Sequence, residues 1–203
     1  MLGRESYEED LHFLGPLFSK IRRSRHLLVE YYSKTTDRDY RILEWFVGPG
    51  MHTRLECCPS QVDLVARHVN DSRSVLEVGS GRGYCTNSLA ASMPRVNFQG
   101  VDLVERHVQI SRENAAENSS FFCVDVAVHR SDAQYDMIFG VESLCRVGGL
   151  SFVKTLLRPG GKLVIIDGFR RNGAKVATEM VEAGFGMRNR FLTKEEWIEE
   201  VIV

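Results

Sequence analysis

The hydrophobic pattern changes period at about residue 70. Before it, apolar residues recur at roughly helical spacing among basic and polar ones, as in HFLGPLFSKIRRSRHLLVEYY from His12 to Tyr32. VGPGM (47–51) interrupts this as a loop, and CPSQVDLVARHV (58–69) resumes it as a helix with Ser60 as N-cap beside Pro59. After it, SVLEVG (74–79), VNFQGVDL (96–103), FFCVDV (121–126), YDMIFGVE (135–142) and GKLVIIDGF (161–169) read as strands. GYCTNSLAASM (83–93) and VERHVQISRENAAE (104–117) read as helices between them. A Pro159-Gly160-Gly161 turn leads into the fifth strand. Beyond it, ATEMVEAGF (177–185) and TKEEWIEEVIV (193–203) are helical, the second opened by a Thr193/Glu196 capping box.

Several of these strands are continuous apolar runs, which suits a sheet covered on both faces. Alternating strands and helices predict an α/β fold with right-handed crossovers. The expectation is a Rossmann-like, doubly wound, mostly parallel sheet over 71–203, preceded by an N-terminal helical lobe or lid over 1–70.

Composition narrows the function. The chain has 203 residues and a net charge of −1, so no global field attracts nucleic acid. No apolar run approaches the ~18 residues of a membrane span. The start, MLGRESYEED, lacks a signal-peptide layout, and five cysteines without a C-x-x-C spacing give neither a disulfide framework nor a metal site. Free thiols in the cytoplasm are the expected state. The basic run from Lys20 to His26 is read as a solvated helix face, with peripheral contact to an anionic membrane as the alternative.

The chemistry concentrates where the first strand ends. Gly79, Gly81 and Gly83 follow SVLEV directly. Glycines there let a ligand approach the backbone at the carboxyl end of a central strand. A dinucleotide fingerprint, G-x-G-x-x-G, would place its last glycine where Tyr84 stands. Glu77, two residues before Gly79, would repel a pyrophosphate but favour a cationic ligand.

E-x-G-x-G-x-G after a strand resembles the first motif of class I S-adenosylmethionine-dependent methyltransferases, and the resemblance runs on to about residue 200. Asp102, 25 residues after Glu77, matches the family's ribose-binding acid, and Asp125 its adenine-side acid. YDMIFGVESL and LLRPGGKLVIIDGF match the fourth- and fifth-strand motifs. GVESLCRV and IIDGF resemble the small-molecule and lipid branch, which includes sterol, tocopherol and cyclopropane-forming enzymes. The resemblance implies S-adenosylmethionine as cofactor, held by Glu77, Gly79, Ser80, Gly81, Gly83, Tyr84, Asp102, Leu103, Asp125, Val126 and Gly140. It implies a catalytic or methyl-side role for Glu142, with Tyr31 and Tyr32 closing over the cofactor. Tyr31, Tyr32 and Tyr84 are candidates for cation–π contact with the sulfonium. Arg146 stands where many relatives have histidine. The family's C-terminal antiparallel hairpin is absent from the pattern, so the domain reads as truncated at its C-terminus. The 162–168 strand then becomes a sheet edge that a homodimer would cover.

Simpler readings stand beside these. The glycines could form only a strand-to-helix turn, Glu77 could order its own loop, and Glu142 could be a solvated acid. His107 is expected exposed on its helix, and His52 idle in its loop. Two other functions remain open: a cofactor-binding but inactive partner module, and a nicotinamide oxidoreductase.

Overall fold

The computed structural model describes residues 61–127, 134–144, 147, 150–167 and 193–202. Most of the expected N-terminal lobe lies outside these residues, with Tyr31, Tyr32, the 20–26 basic run, His52 and Ser60. So do Cys145, Arg146 and the 177–185 helix.

The described chain runs α1 (Gln61–Val69), β1 (Ser74–Val78), α2 (Tyr84–Ser92), β2 (Asn97–Asp102), α3 (Glu105–Glu113), β3 (Ser119–Cys123), β4 (Tyr135–Val141), α4 (Ser151–Leu156), β5 (Leu157–Ile166) and α5 (Lys194–Ile202). The five strands form one sheet in the order β3-β2-β1-β4-β5. Every described pairing is parallel. This is the doubly wound α/β architecture expected from the pattern.

Register explains why β1 and β4 are largely apolar on both faces. Val75 lies beside Met137 and Leu76 beside Ile138 on neighbouring strands. Side chains alternate faces along a strand, so consecutive pairs point to opposite sides of the sheet. Val75, Met137 and Phe139 pack on one face with Val65 and Val69 of α1 and Leu89 of α2. Leu76, Val78 and Ile138 pack on the other with Phe152 and Leu156 of α4 and Trp197 of α5. Each large side chain buried this way stabilises the fold by roughly 1.5–3 kcal/mol. The same alternation places Glu77 on the side of Val75, facing α2.

Two features depart from the expected pattern. β5 begins at Leu157, so the Pro159-Gly160 turn lies inside the strand. Tyr135 pairs with Leu157 but Met137 with Lys162, so the ladder absorbs the turn as an irregularity. Helix α4 is also new; at six residues it is too short to show a period.

Polar side chains fasten the ends of the elements. The Asn118 amide donates to the carbonyls of Ala90, Met93 and Val96, closing the turn after α2. The expected capping box opens α5: Thr193 N–H donates to Glu196 at 2.7 Å, and Glu196 N–H to Thr193 Oγ1 at 3.2 Å.

At the amino end of the sheet, Asp136 accepts from the N–H groups of Arg73 (2.8 Å) and Ser74 (2.9 Å) and from Arg158 Nη1 (2.5 Å). Burial alone would raise its pKa. The two backbone donors and the guanidinium outweigh that and hold it below the usual carboxylate range. Because the folded pKa is depressed, the stabilisation is present above the unfolded value and is lost as pH falls through the folded one. Asp136→Ala is expected to lower unfolding free energy by roughly 2–4 kcal/mol in urea titrations at neutral pH, with the difference shrinking in acid. A variant as stable as the parent at pH 7 would remove Asp136 from this role.

Candidate functional site

β1 is the switch point of the sheet. From it the chain winds outward through β2 and β3, then crosses back to add β4 and β5 on its other side. Ligands of open parallel sheets bind beyond the carboxyl ends of the strands at such a point. The loop 79–83 occupies it.

The three loop glycines have left-handed φ values of 72°, 53° and 79°. Their surroundings differ. A Cβ on Gly79 would lie 2.4 Å from Ser143 Cβ. One on Gly83 would lie 2.8 Å from Ser111 Cβ and 3.0 Å from Phe121 Cζ. One on Gly81 would meet nothing within 4 Å. Gly79 and Gly83 are therefore dictated by the protein's own packing. Of the three, only Gly81 presents bare backbone to open space, where a ligand could come close.

Gly81 is held from two sides. Its N–H donates to Asp102 Oδ2 at 2.9 Å, and its carbonyl accepts from Ser111 Oγ at 3.0 Å. Asp102 Oδ1 accepts from Val104 N–H at 2.9 Å. An ionised carboxylate offers about four lone-pair positions, and these bonds use two. The remaining two suit a vicinal diol. His107, expected exposed, is instead buried at 5% exposure, with Nδ1 3.7 Å from Asp102 Oδ1. Its helix turns that face toward the loop.

Glu77 is 3% exposed and points to α2, as the strand alternation requires. Thr86 N–H donates to its Oε2 at 3.1 Å, and the Thr86 hydroxyl donates to the same oxygen. Helix α2 starts from Gly83, which has no side chain to cap it. Glu77 supplies from β1 the acceptor that an N-cap serine or aspartate would otherwise give. Burial raises its pKa to about 8, against the Thr86 hydrogen bonds that lower it; Asp102 adds a smaller upward push.

The remaining candidates rim the same end of the sheet. Tyr84 opens α2 and is 44% exposed. Leu103 follows Asp102, and its carbonyl lies 3.6 Å from Cys123 Sγ. Burial first, with the carboxylates of Glu105 and Asp102 adding to it, raises the Cys123 thiol to about 11, so it stays protonated. Asp125 lies after β3 and accepts from Ala127 N–H at 3.0 Å. Val126 beside it is buried. Ser80 is buried beneath the loop, with no hydrogen-bond partner for Oγ. The missing Cβ at Gly140 is explained by Leu144 and Ser143, 2.6 and 2.8 Å from where it would lie.

Glu142, just past β4, is exposed and has φ 50°, uncommon for a residue with a side chain. Its N–H donates to Ile166 O at 2.7 Å, which ties the residue to the end of β5. Gln61 Nε2 donates to its Oε1 at 3.0 Å, which ties it to the start of α1. Ser143 Oγ donates to Val78 O at 2.5 Å and locks the turn after β4 against the end of β1.

The structure thus brings Gly79, Ser80, Gly81, Gly83 and Asp102 together at the end of β1 and β2, with Glu77 bonded to α2 beside them. Sequence reasoning missed Thr86, Ser111, Ser143 and Gln61. A signal existed for one of them: a helix opened by glycine needs an outside acceptor for its third N–H, and Thr86 follows Gly83 by three.

Residues 75–161 match a family model described as a methyltransferase domain. The ribosomal protein L11 methyltransferase of Caulobacter sp. (strain K31) is 28% identical over 158 residues, 74% of this chain and 54% of that protein. The malonyl-[acyl-carrier protein] O-methyltransferase of Priestia megaterium is 28% identical over 106 residues, 50% of this chain and 39% of that protein. The chain therefore spans about half or less of the length of these relatives. Among solved structures, phosphoethanolamine N-methyltransferase 2 of Haemonchus contortus, in complex with S-adenosyl-L-methionine, superimposes with a TM-score of 0.66. It shares 19% identity, and the match covers 85% of this chain and 42% of that one.

Proposed function

We propose, from the premise that residues 75–161 are a methyltransferase domain, that this chain binds S-adenosylmethionine and transfers its methyl group to a small-molecule or lipid-like acceptor. The observation that carries the reading is the bonded unit of Gly81 and Asp102. It offers bare backbone on one side and a carboxylate with capacity for a ribose diol on the other. A small acceptor is supported by the malonyl-carrier and phosphoethanolamine enzymes among the similar proteins, whereas the L11 enzyme is named for a protein.

When bound, S-adenosylmethionine would supply a methyl group already activated on a sulfonium. The chain's own work is then to bind, orient and exclude water, and orientation alone can lower a barrier by ~7 kcal/mol or more in favourable cases. Asp102 would hold the ribose, Asp125 and Leu103 the adenine end, and the 79–83 loop the methionine part. Glu142 would face the acceptor as base or electrostatic partner, with its carboxylate fixed by Gln61. Tyr31 and Tyr32 would close the site from the N-terminal lobe.

Asp102→Ala is expected to weaken binding of S-adenosylhomocysteine by about 100-fold or more in calorimetry, since about two charge-assisted hydrogen bonds of roughly 1.5–3 kcal/mol each are lost. NADH should show no saturable binding to the parent protein. Unchanged affinity in the variant, or tight NADH binding, would overturn the cofactor assignment. Glu142→Gln is expected to lower kcat by about 10²-fold or more while leaving S-adenosylhomocysteine affinity within about twofold, the signature of a group acting in the transition state. Normal turnover on a confirmed acceptor would leave Glu142 a structural residue only.

A further inference from the structure

Ser111 is fully buried on α3, and its hydroxyl lies within hydrogen-bond distance of two carbonyls. One is Gly81 O, at 3.0 Å, in the loop. The other is His107 O, at 2.9 Å, one turn back on its own helix. A serine hydroxyl carries a single proton, so it can fully satisfy only one of them at a time. The two acceptors are not equivalent. His107 O already takes the Ser111 N–H by the ordinary helical rule and does not depend on the hydroxyl. Gly81 O belongs to the one loop glycine that faces open space.

We infer that Ser111 is a positioning residue for the cofactor loop: its hydroxyl latches Gly81 in place and falls back on His107 O when the loop moves to admit or release a ligand. The inference rests on the reading of the loop as the cofactor site. The fallback matters energetically. A buried donor left without an acceptor is costly, and that cost would freeze the loop. The second acceptor is already shared with the Ser111 N–H and is the weaker of the two, so the hydroxyl keeps a bond when the loop opens and opening forfeits about one net hydrogen bond rather than the full cost of an orphaned donor. Opening then costs only the Gly81 contacts, including the one to Asp102. Together, Asp102 and Ser111 grip the two ends of one peptide neighbourhood from β2 and α3. The fallback asks for no particular side chain at 107, since a backbone carbonyl stands one turn back from Ser111 on the face of α3 that meets the loop. Ser111 packs directly against the loop, its Cβ lying 2.8 Å from where a side chain on Gly83 would start.

The test compares the parent chain with Ser111→Ala, with Ser111→Cys as a second variant that keeps a donor on the same Cβ, carried by a somewhat larger atom, and weakens it. Amide exchange in the ligand-free protein should accelerate about tenfold at Gly81, the worth of one net hydrogen bond, while the amides of α3 keep their rates. Release of S-adenosylhomocysteine in stopped flow should also accelerate about tenfold, with association within about twofold. Ser111→Cys should move both quantities in the same direction by less. A merely structural serine would give a different pattern, with Gly81 and α3 amides accelerating together, and that result overturns the proposal. Unchanged Gly81 exchange overturns it too, as does unchanged release of a ligand that the parent binds. If the parent binds no S-adenosylhomocysteine, the function proposed above fails, and the exchange measurement still decides whether the latch exists.

Discussion

Alanine at each of the three loop glycines is expected to give two different kinds of damaged protein. Gly79→Ala puts a methyl group 2.4 Å from Ser143 Cβ, at a φ of 72°. Gly83→Ala does the same against Ser111 and Phe121, at a φ of 79°. Each combines overpacking, at roughly 1–3 kcal/mol, with left-handed backbone strain of roughly 1–2 kcal/mol. Such a loss takes a large share of the roughly 5–15 kcal/mol typical of a domain. Both variants should therefore unfold at markedly lower urea, or fail to accumulate. Gly81→Ala has only the backbone strain, because nothing stands within 4 Å of its Cβ. It should fold, with a loss of about 1–2 kcal/mol, and bind S-adenosylhomocysteine roughly 100-fold more weakly, as its methyl group occupies the ligand's approach. Urea titration and calorimetry on the three variants separate the two classes. A Gly81→Ala protein with full affinity would mean that no ligand comes close there.

Stability should fall as pH rises, because of Glu77. Burial pushes its carboxyl up to about 8, from an ordinary value of 4.5. A raised folded pKa means that the native state holds the proton more tightly than the unfolded chain does. The associated stabilisation is complete below about pH 4.5 and is lost progressively up to about pH 8. Each unit of separation is worth at most about 1.4 kcal/mol, so the total is on the order of a few kcal/mol. Glu77→Gln removes the titration and keeps an oxygen for Thr86 to bond. The difference in unfolding free energy between parent and variant should shift in favour of the variant by a few kcal/mol from about pH 5 to about pH 8. A cationic ligand bound near the loop favours the ionised form, so saturation with S-adenosylmethionine, which carries a sulfonium, should flatten the trend, and S-adenosylhomocysteine, whose thioether is uncharged, should flatten it less. A parent-minus-variant difference independent of pH would show that Glu77 titrates as an ordinary carboxylate.

The fold was legible because β1, β4 and the later part of β5 are continuous apolar runs and helical-period segments follow β1 and β2. Each strand read from the pattern takes its place in the sheet. What was not legible depended on contacts distant in sequence. The start of β5 at Leu157 is set by pairing with Tyr135, which no local pattern around Pro159 reveals. His107 looks like a polar helix residue until Asp102 is placed beside it. At the site, the loop glycines and Asp102 announced themselves through residue type and spacing. Ser111 and Gln61 did not, because serine and glutamine are common on helices and their partners lie 30 and 81 residues away.

The central position of β1 has a consequence for how the chain is made. β1 can pair with β2 soon after synthesis, but its other neighbour arrives late: Ser74 and Asp136, joined at the foot of the sheet, are 62 residues apart. At roughly 5–20 residues per second, several seconds pass on a ribosome before β4 emerges. Throughout that interval the apolar flank of β1 has an open hydrogen-bonding edge, the form that invites pairing with the wrong chain. The nascent protein should therefore depend on chaperones that shield exposed strands, and slowed translation between residues 103 and 135 should raise the aggregated fraction. Mature protein, with that edge closed by β4, should no longer respond to chaperone removal.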